Sequence, residues 1–178
     1  IIETSAERAA ALTRELLAYA RGGKSQSVYL RLDEQVDEIL NILGTNLPKS
    51  VNLERVFAEH LPYVQADPAQ LQQVVMNLCI NAGDAVKQQA LDLECEGFRG
   101  GIKLTTSVRR LEIAGKLQVE LTDLEAASDF VCLEIVDNGC GMDEETLQRI
   151  FEPFFTTKIT GRGLGLAAAE GIIRNHGG

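Results

Sequence analysis

The sequence predicts a mixed α/β domain, and three observations lead to that prediction. Apolar residues recur at helical spacing over 32–44 and 68–89, which indicates amphipathic helices packed on a core. Segments 102–113 and 130–136 carry the alternating or β-branched apolar content that is typical of strands. A glycine-rich loop leads directly into an apolar helix over 166–175. Helices and strands therefore both contribute to the domain.

The first 21 residues predict a helix with two apolar stripes side by side. Such a helix needs partners on two sides, as in a bundle. Gly22 and Gly23 stop this helix, and the polar segment 24–27 follows. We therefore place a domain boundary here, with residues 1–23 in one unit and residues 24–178 in the other.

The helix over 68–89 carries the most informative side chains. Asp67 is suited to cap it, and Pro68 fits its first position. Its core face is expected to hold Leu71, Val74, Val75, Leu78, Ala82 and Ala85. A neighbouring face then presents a polar strip of two amides, a carboxylate and a third amide, namely Asn77, Asn81, Asp84 and Gln88.

Length, composition and charge limit the function classes. A chain of 178 residues with 45% apolar content fits one main domain that buries its own core. Its 26 acidic and 17 basic residues give a net charge of −9. This charge offers no broad attraction to nucleic acid or to an anionic membrane, so any site for phosphate must be built locally.

The cysteines and the hydropathy pattern indicate the compartment. Cys79, Cys95, Cys132 and Cys140 form no Cys-x-x-Cys pair and no cluster with either histidine, so neither a zinc site nor a disulfide framework is indicated. No apolar run approaches the roughly 20 residues that span a bilayer. We expect a cytoplasmic domain with reduced thiols, and the parent protein can still carry a membrane anchor elsewhere.

Three motifs together describe a site for a magnesium nucleotide. The side-chain oxygens of Asn77 and Asn81 suit Mg²⁺, which accepts one or two protein oxygens beside phosphates and waters. Asp137, at a strand end, can accept a hydrogen bond from the exocyclic amine of adenine, and Gly139 and Gly141 let a ring approach the backbone. An isolated asparagine pair or Asp-Asn-Gly turn is more often structural, so the prediction depends on the set.

The third motif is the glycine loop at 161–166. Its glycines lead straight into a helix, so that unpaired backbone N–H groups and the positive end of the helix dipole can meet phosphate oxygens. Lys158 and Arg162 add positive charge nearby. A P-loop at Gly23 to Ser25 is rejected because Ala18 stands where its first glycine belongs. A dinucleotide fingerprint from Gly163 is rejected because a poor strand precedes it.

These motifs resemble the ATP-binding catalytic domain of sensor histidine kinases. The resemblance covers about residues 30–178 and includes the asparagine box at 73–85, the boxes at 137–142 and 151–155, and the glycine loop. It implies a two-layer α/β sandwich, with a mixed, mostly antiparallel sheet covered by helices and a mobile lid over roughly 151–165. Residues 1–23 are similar to the second helix of the family's dimerisation and phosphotransfer hairpin.

The resemblance implies the ligands, the partners and the site. It implies Mg²⁺ and ATP as cofactors, a response regulator receiver domain as partner, and a homodimer in the full-length protein. Asn81 and Asn77 are the expected metal ligands. The expected ATP-binding residues are Asn77, Asn81, Asp84, Lys87, Asp137, Gly139, Gly141, Met142, Phe151, Phe155, Thr156, Thr157, Lys158, Gly161, Arg162, Gly163, Leu164, Gly165 and Leu166.

The sequence departs from the family pattern at two places. Neither His60 nor His176 has the acidic, helical surroundings of the family's phosphoacceptor, so the accepting histidine is expected upstream of Ile1. Asp84 stands where some subfamilies carry a lysine for the phosphates, which leaves Lys87, Lys158 and Arg162 for that contact. The form with Asp84 and Ala85 is more similar to nitrogen-regulator-type and hybrid kinases.

Two alternative functions follow from the same residues. One is a stand-alone ATPase of the wider superfamily. Related ATPases carry a glutamate general base at the position of Asn77, and an amide cannot take that proton, so hydrolysis is disfavoured. The other is a degenerate fold that serves only as a dimerisation or docking module, which the intact motifs disfavour.

Overall fold

A computed structural model describes residues 26–44, 51–92, 98–112, 127–158 and 161–178. The predicted helix over 1–21 and the predicted boundary after residue 23 lie outside these residues. In chain order the described elements are β1 (Val28–Leu30), α1 (Leu32–Leu43), β2 (Val51–Val56), β3 (Val64–Ala66), α2 (Pro68–Asp92), β4 (Gly100–Glu112), β5 (Ala127–Asp137), α3 (Glu144–Arg149) and α4 (Gly165–Asn175).

The strands form one mixed sheet and one small ladder. The mixed sheet has the order β2, β4, β5, with β2 parallel and β5 antiparallel to β4. The strands β1 and β3 pair with each other in antiparallel fashion. The predicted α/β class with a mixed, mostly antiparallel arrangement is confirmed. The sequence does not predict β1, β3 or α3, because segments of three to six residues carry too little periodicity to be detected.

Helices α1 and α2 cover one face of the mixed sheet. Alternation along β4 sends Ile102 and Leu104 into the core and leaves Lys103 exposed. The buried face of α1, which includes Val36 and Ile39, joins the same apolar cluster as these strand residues. The amphipathic pattern of both helices thus produces the helical layer of the sandwich.

Helix α2 packs on two sides rather than one. Cys79 is fully buried and faces the sheet and α1, whereas Leu78 packs in a separate cluster with Val74, Ala169 and Ile172. Leu78 thus lies on an apolar side of α2, as predicted, but the surface that it meets is α4 rather than the sheet. The small residues on α4 allow this close approach.

The start of α2 is fixed by a cap and by a histidine. The Asp67 carboxylate accepts hydrogen bonds from the N–H groups of Ala69 at 2.9 Å and Gln70 at 3.3 Å, as predicted for this cap. The Asp67 N–H lies 3.1 Å from Nε2 of His176, whose Nδ1 lies 2.7 Å from the Ile172 carbonyl oxygen. A neutral ring protonated at Nδ1 satisfies both contacts and joins the end of α4 to the start of α2.

None of the helices among the described residues has the length and apolar content needed to cross a membrane.

Replacing the cap tests this account of α2. Asp67→Ala removes the acceptor for two N–H groups of the first turn, and we expect the free energy of unfolding to fall by about 1 kcal/mol. The matched control is Asp92→Ala at the other end of the same helix, where the exposed carboxylate accepts a hydrogen bond from the Gln88 side chain at 2.7 Å. Chemical denaturation should place the control within about 0.5 kcal/mol of the native chain. A loss in Asp67→Ala as small as that expected of the control would show that the cap does not stabilise the helix.

Candidate nucleotide-binding site

A cleft of about 1100 Å³ lies between α2 and the chain from Cys140 to the start of α4. Most of the predicted site residues line it, although they come from segments far apart in sequence. These are Asn77, Asn81, Asp84, Lys87, Gly141, Met142, Phe155, Thr156, Thr157, Lys158, Gly161, Arg162, Gly163, Leu164, Gly165 and Leu166. The volume lies slightly above the range of roughly 300–1,000 Å³ that is typical of small-molecule sites.

Asn77 fixes the glycine loop to α2. Its side-chain Nδ2 donates a hydrogen bond to the carbonyl oxygen of Gly165 at 3.0 Å. A Cβ atom at Gly165 would lie 3.6 Å from Cγ of Asn77, so the loop passes directly over this side chain. The amide of Asn77 therefore positions the first residue of α4.

The Lys158 ammonium bonds two oxygens of the polar strip on α2. Its Nζ lies 2.8 Å from Oδ1 of Asn81 and 2.7 Å from Oδ2 of Asp84. Both acceptors therefore point at one position, although they stand three residues apart on the helix. Amide and carboxylate oxygens are also the ligands that Mg²⁺ prefers. These residues thus fit a hard divalent cation.

The turn after β5 is tied to both neighbouring layers. The Asn138 side chain accepts from the Gly101 N–H at 2.7 Å and donates to the Arg99 carbonyl at 3.0 Å. The Cys140 N–H donates to the Ala85 carbonyl at 3.2 Å, and a Cβ atom at Gly139 would lie 2.5 Å from the Ala85 carbonyl carbon. Only glycine lets this turn lie against α2, which brings Cys140, Gly141 and Met142 to the cleft.

Three predicted residues do not line the cleft, namely Asp137, Gly139 and Phe151. The Asp137 carboxylate accepts a hydrogen bond from the Gly139 N–H at 2.9 Å, which closes the turn. Asp137 is exposed beside the turn, and Gly139 packs on α2 behind it. Asp137 and Gly139 therefore both shape the turn after β5.

The glycine loop folds back on the segment before it. The Phe154 N–H donates to the Gly163 carbonyl at 2.8 Å, and both residues have positive φ, 69° for Phe154 and 66° for Gly163. A Cβ atom at Gly163 would collide with the backbone of Phe154 and Phe155. Glycine at position 163 therefore allows this close packing of the chain, and it would also let a phosphate group approach the backbone.

The start of α4 offers unpaired N–H groups to the cleft. The Ala168 N–H is bonded to the Leu164 carbonyl at 2.9 Å. The N–H groups before it have no intrahelical acceptor, as in any helix. Gly165 and Leu166 both line the cleft. This end of α4 can therefore hold an anion by hydrogen bonds and by the helix dipole.

Some lining residues are not among the predicted site residues, namely Gln73, Ile80, Ala85, Gln88, Leu91, Cys140, Thr146, Ile150 and Ala168. Of these, the sequence does place Gln88 on the polar strip of α2. Those on α2 share the face of Asn77 and Asn81, so helical spacing was a usable signal. Thr146 and Ile150 come from α3 and its end, which the sequence does not predict. Arg149 packs its guanidinium 4.2 Å from the centroid of the Phe155 ring and so supports the floor of the cleft.

Comparison with known proteins agrees with this geometry. Residues 66–178, more than half of the chain, match the family model described as histidine kinase-, DNA gyrase B-, and HSP90-like ATPase. The chain belongs to this family. The predicted resemblance is thereby confirmed at the level of the ATPase domain.

The chain spans less than half the length of the three longer proteins compared with it below. The chain is 35% identical to the sensor kinase CckA of Brucella abortus, over 99% of this chain and 18% of that protein. Full-length ShkA in complex with AMPPNP shares the fold with a TM-score of 0.70 and 21% identity, over 98% of this chain and 32% of that one. Histidine kinase ThkA in complex with the response regulator TrrA has a TM-score of 0.64 and 23% identity, over 100% of this chain and 43% of that one.

The close contact at Gly139 yields a prediction for ATP binding. Gly139→Ala places a methyl group against the Ala85 backbone, so the turn must move away from α2. We expect ATP affinity to fall by about tenfold, or about 1.4 kcal/mol, in isothermal titration. The control is Gly171→Ala in α4, where the added Cβ has no neighbour within 4 Å beyond the adjoining backbone of its own helix. It should keep ATP affinity and raise the unfolding free energy by up to about 1 kcal/mol. Unchanged affinity in Gly139→Ala would contradict this account of the turn.

Thiol reactivity provides a second test of the cleft. Burial raises the pKa of the Cys79 thiol to about 11, so the reactive thiolate is scarce at pH 8. Cys140 is exposed and lines the cleft. In the folded chain at pH 8, iodoacetamide should modify Cys140 and leave Cys79 intact, and magnesium and ATP should slow the reaction at Cys140. Peptide mass spectrometry reports both sites, and Cys79 should react only in denaturant. Modification of Cys140 at the same rate with ATP present would place the nucleotide elsewhere.

Proposed function

We propose that this chain is the ATP-binding catalytic part of a sensor histidine kinase. It presents the γ-phosphate of ATP to a histidine outside residues 1–178, for relay to a response regulator. The observation that carries this proposal concerns Asn77, whose side-chain amide donates a hydrogen bond to the Gly165 carbonyl. Asn77 stands at the position where the hydrolytic relatives need a general base. A nucleophilic imidazole needs no such base, whereas water does. The similarity to the sensor kinase CckA supports the same function.

Magnesium is the proposed metal of the site. Asn81 supplies the best-placed amide oxygen, and Asn77 holds the loop beside it. Bound Mg²⁺ would neutralise charge on the transferred phosphoryl group. The metal keeps several waters and needs only one or two protein oxygens, which agrees with the small number of oxygens that α2 offers.

The phosphates are proposed to lie at the start of α4. Gly165 and Leu166 line the cleft at the N-terminal end of α4, and Lys87 and Arg162 line it as cations. The chain carries a net charge of −9, so this local positive field is what attracts the nucleotide. Binding in this way fixes the γ-phosphate in one place, which is most of what phosphoryl transfer requires of a protein.

Adenine is proposed to lie beside the turn after β5. Asp137 accepts the Gly139 N–H through Oδ1 at 2.9 Å. A carboxylate has acceptor capacity for a further donor, so Asp137 can also accept from the amine of adenine. Gly141 and Met142 follow Asp137 in the chain and line the cleft. Gly141 has a φ of 68°.

Neither histidine of the chain suits the role of phosphoacceptor. Both ring nitrogens of His176 lie within hydrogen-bond distance of backbone groups that join α4 to α2. His60 lies exposed in a turn after β2 and is not among the residues that line the cleft. The acceptor is therefore proposed to lie upstream, on a dimerisation and phosphotransfer hairpin for which residues 1–23 provide the second helix.

The proposed partners follow from this activity. A response regulator receiver domain would take the phosphoryl group, as suggested by the structure of ThkA with the response regulator TrrA. The full-length protein is proposed to be a homodimer through its hairpin. We place this part of it in the cytoplasm, where ATP and reduced thiols occur.

The fate of the γ-phosphate tests the proposal. The parent protein, incubated with γ-labelled ATP and magnesium, should acquire label that is stable in base and lost in acid, as for phosphohistidine. Asn81→Ala should abolish labelling because the metal loses its amide ligand, while Asp92→Asn on the far end of α2 should not. Released inorganic phosphate without labelled protein would show an ATPase and overturn the proposal.

A further inference from the structure

The contact of Lys158 with Asn81 and Asp84 has a meaning beyond simple ion pairing. We infer that Asn81 and Asp84 form one cation site, and that Lys158 is its built-in occupant, which a divalent metal displaces. The lysine then anchors residues 151–158 to α2 only until the metal arrives. The identity of the metal rests on the proposed function, whereas the competition for the two oxygens does not.

The geometry of the two oxygens supports a shared cation. Asn81 Oδ1 and Asp84 Oδ2 lie 2.8 Å and 2.7 Å from the same nitrogen. The lysine ammonium is a compact point charge with three donors, unlike the planar fork of arginine, so its position marks where a small cation is held. An amide oxygen and a carboxylate oxygen are a suitable ligand pair for magnesium or manganese.

The position of Lys158 in the chain makes the contact an anchor. Its N–H donates to the Thr156 hydroxyl at 3.1 Å, and its carbonyl accepts from the Gly161 N–H at 3.1 Å. These two hydrogen bonds tie the Lys158 backbone to Thr156 and to Gly161. Asn77 holds the start of α4 to the same helix at Gly165. The side chain of Lys158 adds a second attachment to α2, one helical turn further along.

This second attachment is weak enough to be exchanged. The side chains of Lys158 and Asp84 are 40% and 50% exposed. Ion pairs at this exposure shift an equilibrium only about two- to fivefold and are screened by salt. A divalent cation carries twice the charge of the ammonium and competes for the same two oxygens. Metal binding would therefore free Lys158 to turn toward phosphate oxygens.

The same exchange explains the acidic residue in a site for an anion. Asp84 lines a cleft that is proposed to hold the phosphates of ATP, and a bare carboxylate there would repel them. With either Lys158 or a divalent metal in place, its charge is neutralised. Asp84 is then a metal-facing residue in this chain, which the sequence analysis does not distinguish from the phosphate contacts.

Hydrogen exchange of the chain without nucleotide tests the anchor. Asp84→Asn and Lys158→Met should each raise amide exchange in residues 151–158 about two- to fivefold. The charge-swapped double variant Asp84→Lys with Lys158→Asp should restore the protection, because the ion pair forms again with its two charges exchanged. Asp92→Asn, on the same helix, is the control and should leave these amides unchanged. Additive effects in the double variant would overturn the anchor.

Binding of Mn²⁺ without nucleotide tests the competition. Lys158→Met removes the competitor and should raise the Mn²⁺ affinity about two- to fivefold in electron paramagnetic resonance titrations. Asp84→Asn removes a ligand and should lower it. The two substitutions break the same ion pair, so a purely structural role would not move the metal affinity in opposite directions. A lower or unchanged affinity in Lys158→Met would overturn the inference. Neither experiment uses ATP, so failure of the kinase proposal would leave both results unaffected.

Discussion

The packing of α2 on two sides is the constraint on which the rest of the structure depends. One side of the helix faces the sheet and α1 through residues such as Val75 and Cys79, and another faces α4 through Val74 and Leu78. Between these apolar surfaces the helix has only a narrow strip left for polar residues. That strip carries the asparagines, and α4 and the glycine loop are held directly beside it. The core therefore decides where the site lies.

The site is formed largely by backbone held at close distance. The turn at Gly139 lies against the Ala85 backbone, and the loop at Gly163 lies against Phe154 and Phe155. A side chain at either glycine would separate layers that must touch. Few polar side chains are then needed, since helix N–H groups and a small number of amides can hold a nucleotide. A site that depends on few cationic side chains agrees with a chain whose net charge is −9.

Charge neutralisation connects the proposed chemistry with the conformation of the chain. Asp84 and Lys158 are both exposed and pair across 74 positions of sequence. The Coulomb energy between them is small in water, so the pairing is available for exchange with a metal. Phosphoryl transfer depends on positioning and on charge neutralisation, and here one helix face takes part in both.

The sequence by itself determined the α/β class, the cap at Asp67, the two long helices and strands, and the motifs of the ATPase family, because periodicity, capping and glycine placement are local properties. It did not determine that Asn77 binds the Gly165 carbonyl, that Leu78 faces α4, or that Lys158 bonds Asn81 and Asp84. These contacts join residues from different elements, so their partners depend on how the layers pack. Only the tertiary structure decides them, since no spacing along the chain records which surfaces meet.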